Sequence, residues 1–422
     1  MESFPEPNPV KKLTIAGYLQ IAVTVCFRVP WTVLTTLLRR WAPWSTYHPP
    51  PLREHVFRHV MTWCVSIKPI LDMAFCVNEY SYDINPRSLG NNTPGSLWDN
   101  VADRTGQNLL TSNRYGHLKR QIYQNVRRAD FCGFWLCRGL SAEAIHPRDA
   151  DLVLFHCHGG GYVSFHPSAG APEHLFMAEL LQRRGLTVAI FSLDYTLAPA
   201  ATFPKQRDEA IAAYDWINKE LGVDASKIVV IGDSAGGHLI VSLLTGLHQR
   251  YQRANNGEGA VHHQDRPAGA ILVSPWLNLH TSHPRALALH WEERLFKRSL
   301  DKCCEQVMRD APADIAEVYS NFAVDVAARG SWKEILPDRT WVSAGAEELV
   351  FLYDIEDFVA HARRDGAAIA LDVTAGKNHT WQCSEALGQH PRLLAMKPGE
   401  DDEGLMTGYR RIAEEILKLV DR

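Results

Sequence analysis

The stretch Ile228-Val229-Val230-Ile231-Gly232-Asp233-Ser234-Ala235-Gly236-Gly237-His238-Leu239 leaves the backbone few choices. Ile228 to Ile231 are all β-branched and favour a strand, Gly232 and Gly236 permit a sharp turn, and the run after Gly236 has helical spacing. A strand apolar on both faces needs a covered neighbour on each side, which selects an α/β architecture with a mostly parallel sheet. Ser234 sits at the apex, in the spacing G-x-S-x-G. There its hydroxyl is lifted clear of the sheet edge, and the helix that follows aims its positive end at any oxyanion formed nearby.

The rest of the chain agrees from about Phe131 onward. Phe134 to Cys137, Leu152 to Cys157, Val188 to Leu193, Ala270 to Val273, Thr340 to Ser343 and Ile369 to Val373 join Ile228 to Ile231 as expected strands. Pro172 to Arg184, Asp208 to Leu221 and Gly236 to Gln249 carry helical periodicity between them. Residues 281–338 interrupt this alternation with a helical, Trp- and Arg-containing insertion, expected to form part of a cap. Residues 131–422 are therefore expected to be one catalytic domain, and residues 1–130 an N-terminal accessory or cap region. Within the latter, Leu52 to Ala74 has helical spacing. Ala254 to Asp265, rich in Asn, Gly and His, reads as a solvated loop.

His158-Gly159-Gly160-Gly161-Tyr162 follows the strand Leu152 to Cys157 directly. Successive glycines leave amide N–H groups unobstructed, and those of Gly159 and Gly160, with that of Ala235, are expected to hold one oxyanion. A metal site built on His156 and His158 is disfavoured, since no third ligand stands at a suitable spacing. A serine needs a base, and the base an orienting carboxylate, which in this arrangement follow the serine in the order acid, then His. His379 lies in a short loop after the last expected strand and is the expected base, ahead of His361 and His390. Past the strand Thr340 to Ser343 stand Glu347, Glu348 and Asp354. Glu347 is placed best for the acid, with Glu348 and Asp354 as alternatives.

Composition narrows the partners. Lys+Arg 44 against Asp+Glu 48 gives a net charge of -4 and no basic excess for nucleic acid. The 9 cysteines fit neither a disulfide framework nor a CxxC zinc cluster and read as mostly reduced. Leu13 to Leu38 is apolar, broken by Arg28 and Pro30 and flanked by Lys11-Lys12 and Arg39-Arg40. It is short for a span and fits membrane association or packing over the catalytic domain. Location stays open between the cytoplasm and a membrane such as the endoplasmic reticulum. Sequons at Asn91 and Asn378 are weak indicators, the second overlapping His379.

HGGG at 158–161 and GDSAGG at 232–237, with Leu193-Asp194-Tyr195-Thr196-Leu197-Ala198-Pro199, Phe203-Pro204 and Asp208, resemble the hormone-sensitive-lipase-like branch of the α/β-hydrolase superfamily. Thr196 and Ala200 stand where that branch usually has Arg and Glu. The resemblance covers about residue 130 to the C-terminus and implies an α/β-hydrolase fold with a helical cap. It also implies a cofactor-free serine esterase acting on a small apolar ester, and Glu347 as the acid. The N-terminal third adds a general likeness to fungal esterases, including steryl acetyl hydrolase-like and secondary-metabolite hydrolases. Two rivals share the scaffold: a biosynthetic cyclisation or product-release enzyme, and a receptor without catalysis.

Overall fold

A computed structural model describes Ile15, Leu19 and residues 22–40, 106–253, 266–288 and 291–420, apart from 107, 142, 169 and 402. The chain divides into two compact units, Met1–Arg104 and Thr105–Arg422. Of the first, the described part is a π-helical turn, Thr24–Arg28, continued by the α-helix Val29–Arg40. Ile15, Leu19, Val23, Phe27, Trp31, Leu34 and Leu38, spaced by three or four, are exposed. No described helix is long and apolar enough to cross a membrane. The expected helix at 52–74, the Asn91 sequon and the loop at 254–265 lie outside the described residues.

The second unit is built on an eight-stranded sheet in the order β1-β2-β4-β3-β5-β6-β7-β8. Its strands are β1 Gln124–Arg127, β2 Cys132–Arg138, β3 Leu152–Cys157, β4 Val188–Asp194, β5 Ile228–Asp233, β6 Gly269–Val273, β7 Thr340–Gly345 and β8 Ile369–Thr374. Strands β3 to β8 pair in parallel, while β1 and β2 pair antiparallel at one edge. Every residue of β3, β6 and β7 is buried, as continuous apolar runs covered on both faces must be. The sequence pattern is silent on β1. Its residues, Gln-Asn-Val-Arg, have no apolar face and are half-buried to exposed at the edge.

Helices Ala171–Gln182, Lys205–Asp215 and Ala235–Arg253 occupy the expected connections. The last is buried without interruption from Ala235 to Leu247, so the serine stands on the helix most firmly packed against the sheet. Between β6 and β7 the chain is helical, with Trp291–Val307, Ala313–Tyr319 and Trp332–Ile335. Arg329 organises the end of this segment. Its guanidinium donates to the carbonyls of Val318, Asn321 and Val324 at 3.1, 2.7 and 2.7 Å, and it lies about 5 Å from the rings of Phe322 and Trp332.

Glycine is obligatory at Gly236 because a Cβ there would lie 2.0 Å from the Cys157 carbonyl oxygen and 2.6 Å from that of His158. Backbone cannot move aside as a side chain can. Gly236→Ala is expected to destabilise the fold by about 3 kcal/mol, the upper end for overpacking, measured by chemical denaturation. A loss under about 0.5 kcal/mol would show that β3 and the helix can part at little cost.

Candidate active site

Ser234 follows β5 directly and takes φ +50°, a left-handed conformation that non-glycine residues adopt where the surroundings enforce it. The enforcement is visible: its N–H donates to Val273 O at 2.9 Å, and its carbonyl accepts from His238 N at 3.1 Å and Trp276 N at 2.9 Å. The side chain is thereby turned to His379, whose Nε2 lies 2.9 Å from Ser234 Oγ.

His379 comes from the loop after β8, and this loop packs backbone to backbone on Gly345, where a Cβ would meet Lys377 O at 2.3 Å. Nδ1 of His379 is 2.7 Å from Glu348 Oε2. An ionised carboxylate only accepts, so Nδ1 carries the proton and Nε2 is left to accept from the serine hydroxyl. Phe351 stacks on the imidazole at 4.1 Å between centroids, 21° from parallel. The ring of His379 is thus held at both nitrogens and on one face.

The carboxylate brought to His379 is Glu348, and the expectation of Glu347 is corrected. Glu347 N donates to Lys377 O at 2.8 Å, so its backbone binds the histidine loop. The next residue then supplies the side chain that reaches the ring. Glu348 reaches back as well, accepting at Oε1 from Gly345 N at 2.5 Å and from Ser274 Oγ at 2.8 Å. Asp354 lies elsewhere, accepting from Asn278 Nδ2 at 3.1 Å, and burial pushes it up to about 6. His361 faces Asp325 at 3.3 Å and His390 faces Glu173 at 2.6 Å, so neither joins the serine.

In the glycine loop, Gly159 packs against Asp233, the residue before the serine. Burial raises the Asp233 carboxylate, against the nearby His158, His174 and His379 and the Gly159 amide. A Cβ on Gly159 would lie 2.3 Å from Asp233 Oδ2, so the two chains touch. Gly160 and Gly161 turn left-handed, with φ of +104° and +64°. Their amides and that of Ala235 donate to no acceptor among the described residues. A Cβ on Gly161 would meet Cys303 Sγ at 3.1 Å, which sets the helix Trp291–Val307 against this loop.

Supports that sequence reasoning missed lie inside the same motifs. Tyr195 stacks on His158 at 4.3 Å and donates to its carbonyl at 2.8 Å. His238 Nε2 donates to Tyr319 O at 2.8 Å, so its Nδ1 accepts from Tyr162 Oη at 2.7 Å. That chain of contacts ties the glycine loop to the serine helix and the insertion. His156 packs against His174 at 4.2 Å between centroids, with the rings tilted by 55°. Among the described residues no group of three His, Cys, Asp or Glu could hold a metal ion, and the described cysteines form no disulfide.

Against known proteins, a family model described as alpha/beta hydrolase fold matches residues 154–383, more than half of the chain. The chain belongs to the α/β-hydrolase fold family. Within it, the sequence is similar to hormone-sensitive lipase of Mus musculus, 40% identical over 100 residues, covering 23% of this chain and 12% of that protein. It is also similar to ethyl acetate hydrolase of Pseudomonas putida, 37% identical over 100 residues, covering 23% of this chain and 30% of that one. The matched stretch thus spans under a third of either relative. The likeness to the hormone-sensitive-lipase-like branch rests on such partial matches. Among solved structures, an esterase/lipase from an uncultured bacterium superposes with TM-score 0.52 at 22% identity, over 79% of this chain and 94% of that one. At that identity the likeness speaks for the fold.

Burial holds His156, His158 and His174 down to about 4, and His166 and His238 down to about 3. In the unfolded chain each would titrate near 6.5. The folded state therefore binds fewer protons below that value, and the stability these groups contribute is fully present above about pH 6.5 and lost as the pH falls toward 4. Each contributes a slope of about 1.4 kcal/mol per pH unit in that window. Asp233, Glu209 and Asp354, raised by burial, work in the opposite sense at its lower end. Denaturant midpoints should fall steeply from pH 7 to 5.5, and His174→Gln should flatten the slope by about one proton. An unchanged slope in that variant would mean His174 is charged in the folded protein.

Proposed function

We propose that this protein is a serine carboxylic-ester hydrolase working through an acyl-enzyme. The observation that carries the reading is the relay from Ser234 Oγ to His379 Nε2 at 2.9 Å and from His379 Nδ1 to Glu348 at 2.7 Å. Nε2 takes the hydroxyl proton as Oγ attacks the ester carbonyl, and returns it to the leaving alkoxide. Water then enters by the same route and releases the acid. The amides of Gly160, Gly161 and Ala235, which donate to no acceptor among the described residues, suit the oxyanion. A small apolar ester is the proposed substrate, because Cys303 and Phe351 crowd the loop and the base with apolar or weakly polar surface.

A fluorophosphonate should label Ser234, read by mass spectrometry, and hydrolysis of a short p-nitrophenyl ester should accompany it. Glu348→Gln should lower kcat by about 10³- to 10⁴-fold, whereas Glu347→Gln should stay within several-fold of the parent. The reverse ranking would return the acid to Glu347. A folded protein that takes up no label on Ser234 would favour a binding role over catalysis.

The N-terminal helix is proposed to lie on an anionic lipid surface. Its exposed stripe from Ile15 to Leu38 is accompanied by Lys11, Lys12, Arg28, Arg39, Arg40 and Arg53, with no Asp or Glu from residue 7 to 53. The full chain should float with vesicles containing phosphatidylserine, less with neutral ones, and Phe27→Asp with Trp31→Asp should abolish flotation without changing cleavage of a soluble ester. Flotation unaffected by those changes would overturn the assignment.

A further inference from the structure

Ser274, the residue after β6, is left over by the relay just described. It is fully buried and takes φ +45°, a conformation that L side chains resist, yet it is not glycine. Its N–H donates to Ser343 O at 2.6 Å, fixing it to the end of β7. Its hydroxyl donates to Glu348 Oε1 at 2.8 Å and accepts from Thr380 N at 3.0 Å. The polarity is forced, because an amide only donates and an ionised carboxylate only accepts. Thr380 follows His379 directly, so one hydroxyl ties the loop that carries the base to the residue that orients it.

We infer that Ser274 is a positioning residue for the hydrolytic site, locking Glu348 and the His379 loop in register. The inference rests on the hydrolase reading. Glu348 has no exposed side chain. A buried carboxylate needs its oxygens satisfied, and Oε1 has Ser274 and the Gly345 amide, which leaves Oε2 aligned on His379 Nδ1. Without the hydroxyl, Oε1 keeps one donor, the carboxylate can rotate about its terminal torsion, and the Thr380 amide loses its acceptor. The base loop and the acid then lose the hydroxyl that links them, and their alignment rests on the Glu347 N to Lys377 O bond and the His379–Glu348 contact.

The experiment compares Ser274→Ala and Ser274→Gly with the unaltered protein. Glycine removes the hydroxyl while relieving the left-handed backbone, so its fold should hold even if the alanine variant is poorly soluble. Both should lower kcat on a p-nitrophenyl ester by about 10- to 100-fold, the range seen when groups that orient a reactive side chain are removed, with KM changed less than about 3-fold. Adding Ser274→Gly to Glu348→Gln should cost less than about 3-fold more, since the hydroxyl acts through that carboxylate. A merely structural role predicts the opposite: a folded glycine variant at full rate, or losses that multiply in the double variant, and either result overturns the inference. Absence of fluorophosphonate label on Ser234 in the unaltered protein would overturn the hydrolase reading itself, whereas labelled parent with fully active Ser274→Gly overturns this inference alone.

Discussion

Backbone touching backbone at the C-terminal edge of the sheet is the constraint from which the rest of the site follows. Three glycines make it possible: a Cβ would lie 2.4 Å from Gly236 O at Gly232, 2.0 Å from Cys157 O at Gly236, and 2.3 Å from Lys377 O at Gly345. The first closes the serine turn on itself and the second presses it against the end of β3, so the helix start and the glycine loop share one wall. The third seats the histidine loop on the end of β7. No side chain intervenes at these junctions, which makes the distances between reacting groups a property of the sheet. A relay of two hydrogen bonds near 2.8 Å is then set before any substrate arrives.

Electrostatics complete what packing begins. The wall behind the glycine loop is lined with imidazoles that burial keeps neutral, among them His156, His158 and His174. Each makes a hydrogen bond through Nδ1, to Ser192 Oγ, Gly159 O and Gly170 O respectively, without bringing charge to the glycine loop. The negative charge is instead concentrated on Glu348, three donors deep, where it faces His379. In the proposed mechanism, that arrangement favours the imidazolium formed as the serine attacks.

Most of this was legible in the sequence because glycine runs and β-branched strands leave little freedom. The strands β2 to β8, the serine turn and the histidine loop all declare themselves through short-range pattern. What escaped was set by single-residue geometry that no period encodes. β1 has no apolar face, and its pairing depends on a neighbour already in place. Gly159 and Gly160 are chemically identical in sequence, and only the approach of Asp233 to Gly159 tells them apart. Glu347 and Glu348 differ solely in the direction the chain faces after β7.

That last case shows why the loop favours glutamate over the aspartate common in this branch. Residues 345 to 348 close on themselves: Glu348 N approaches Gly345 O at 3.3 Å while Glu348 Oε1 accepts from Gly345 N at 2.5 Å. The carboxylate must therefore reach back across three residues and still present its second oxygen to His379. An aspartate at the same position, shorter by one methylene, could satisfy the Gly345 amide or the imidazole but would have to give up the other. Glu347, the position that the family pattern points to, is used instead for its backbone, which grips the histidine loop at Lys377. The extra reach of glutamate and the one-residue shift are thus two sides of one solution, in which position 347 binds the loop through its amide and position 348 orients the base.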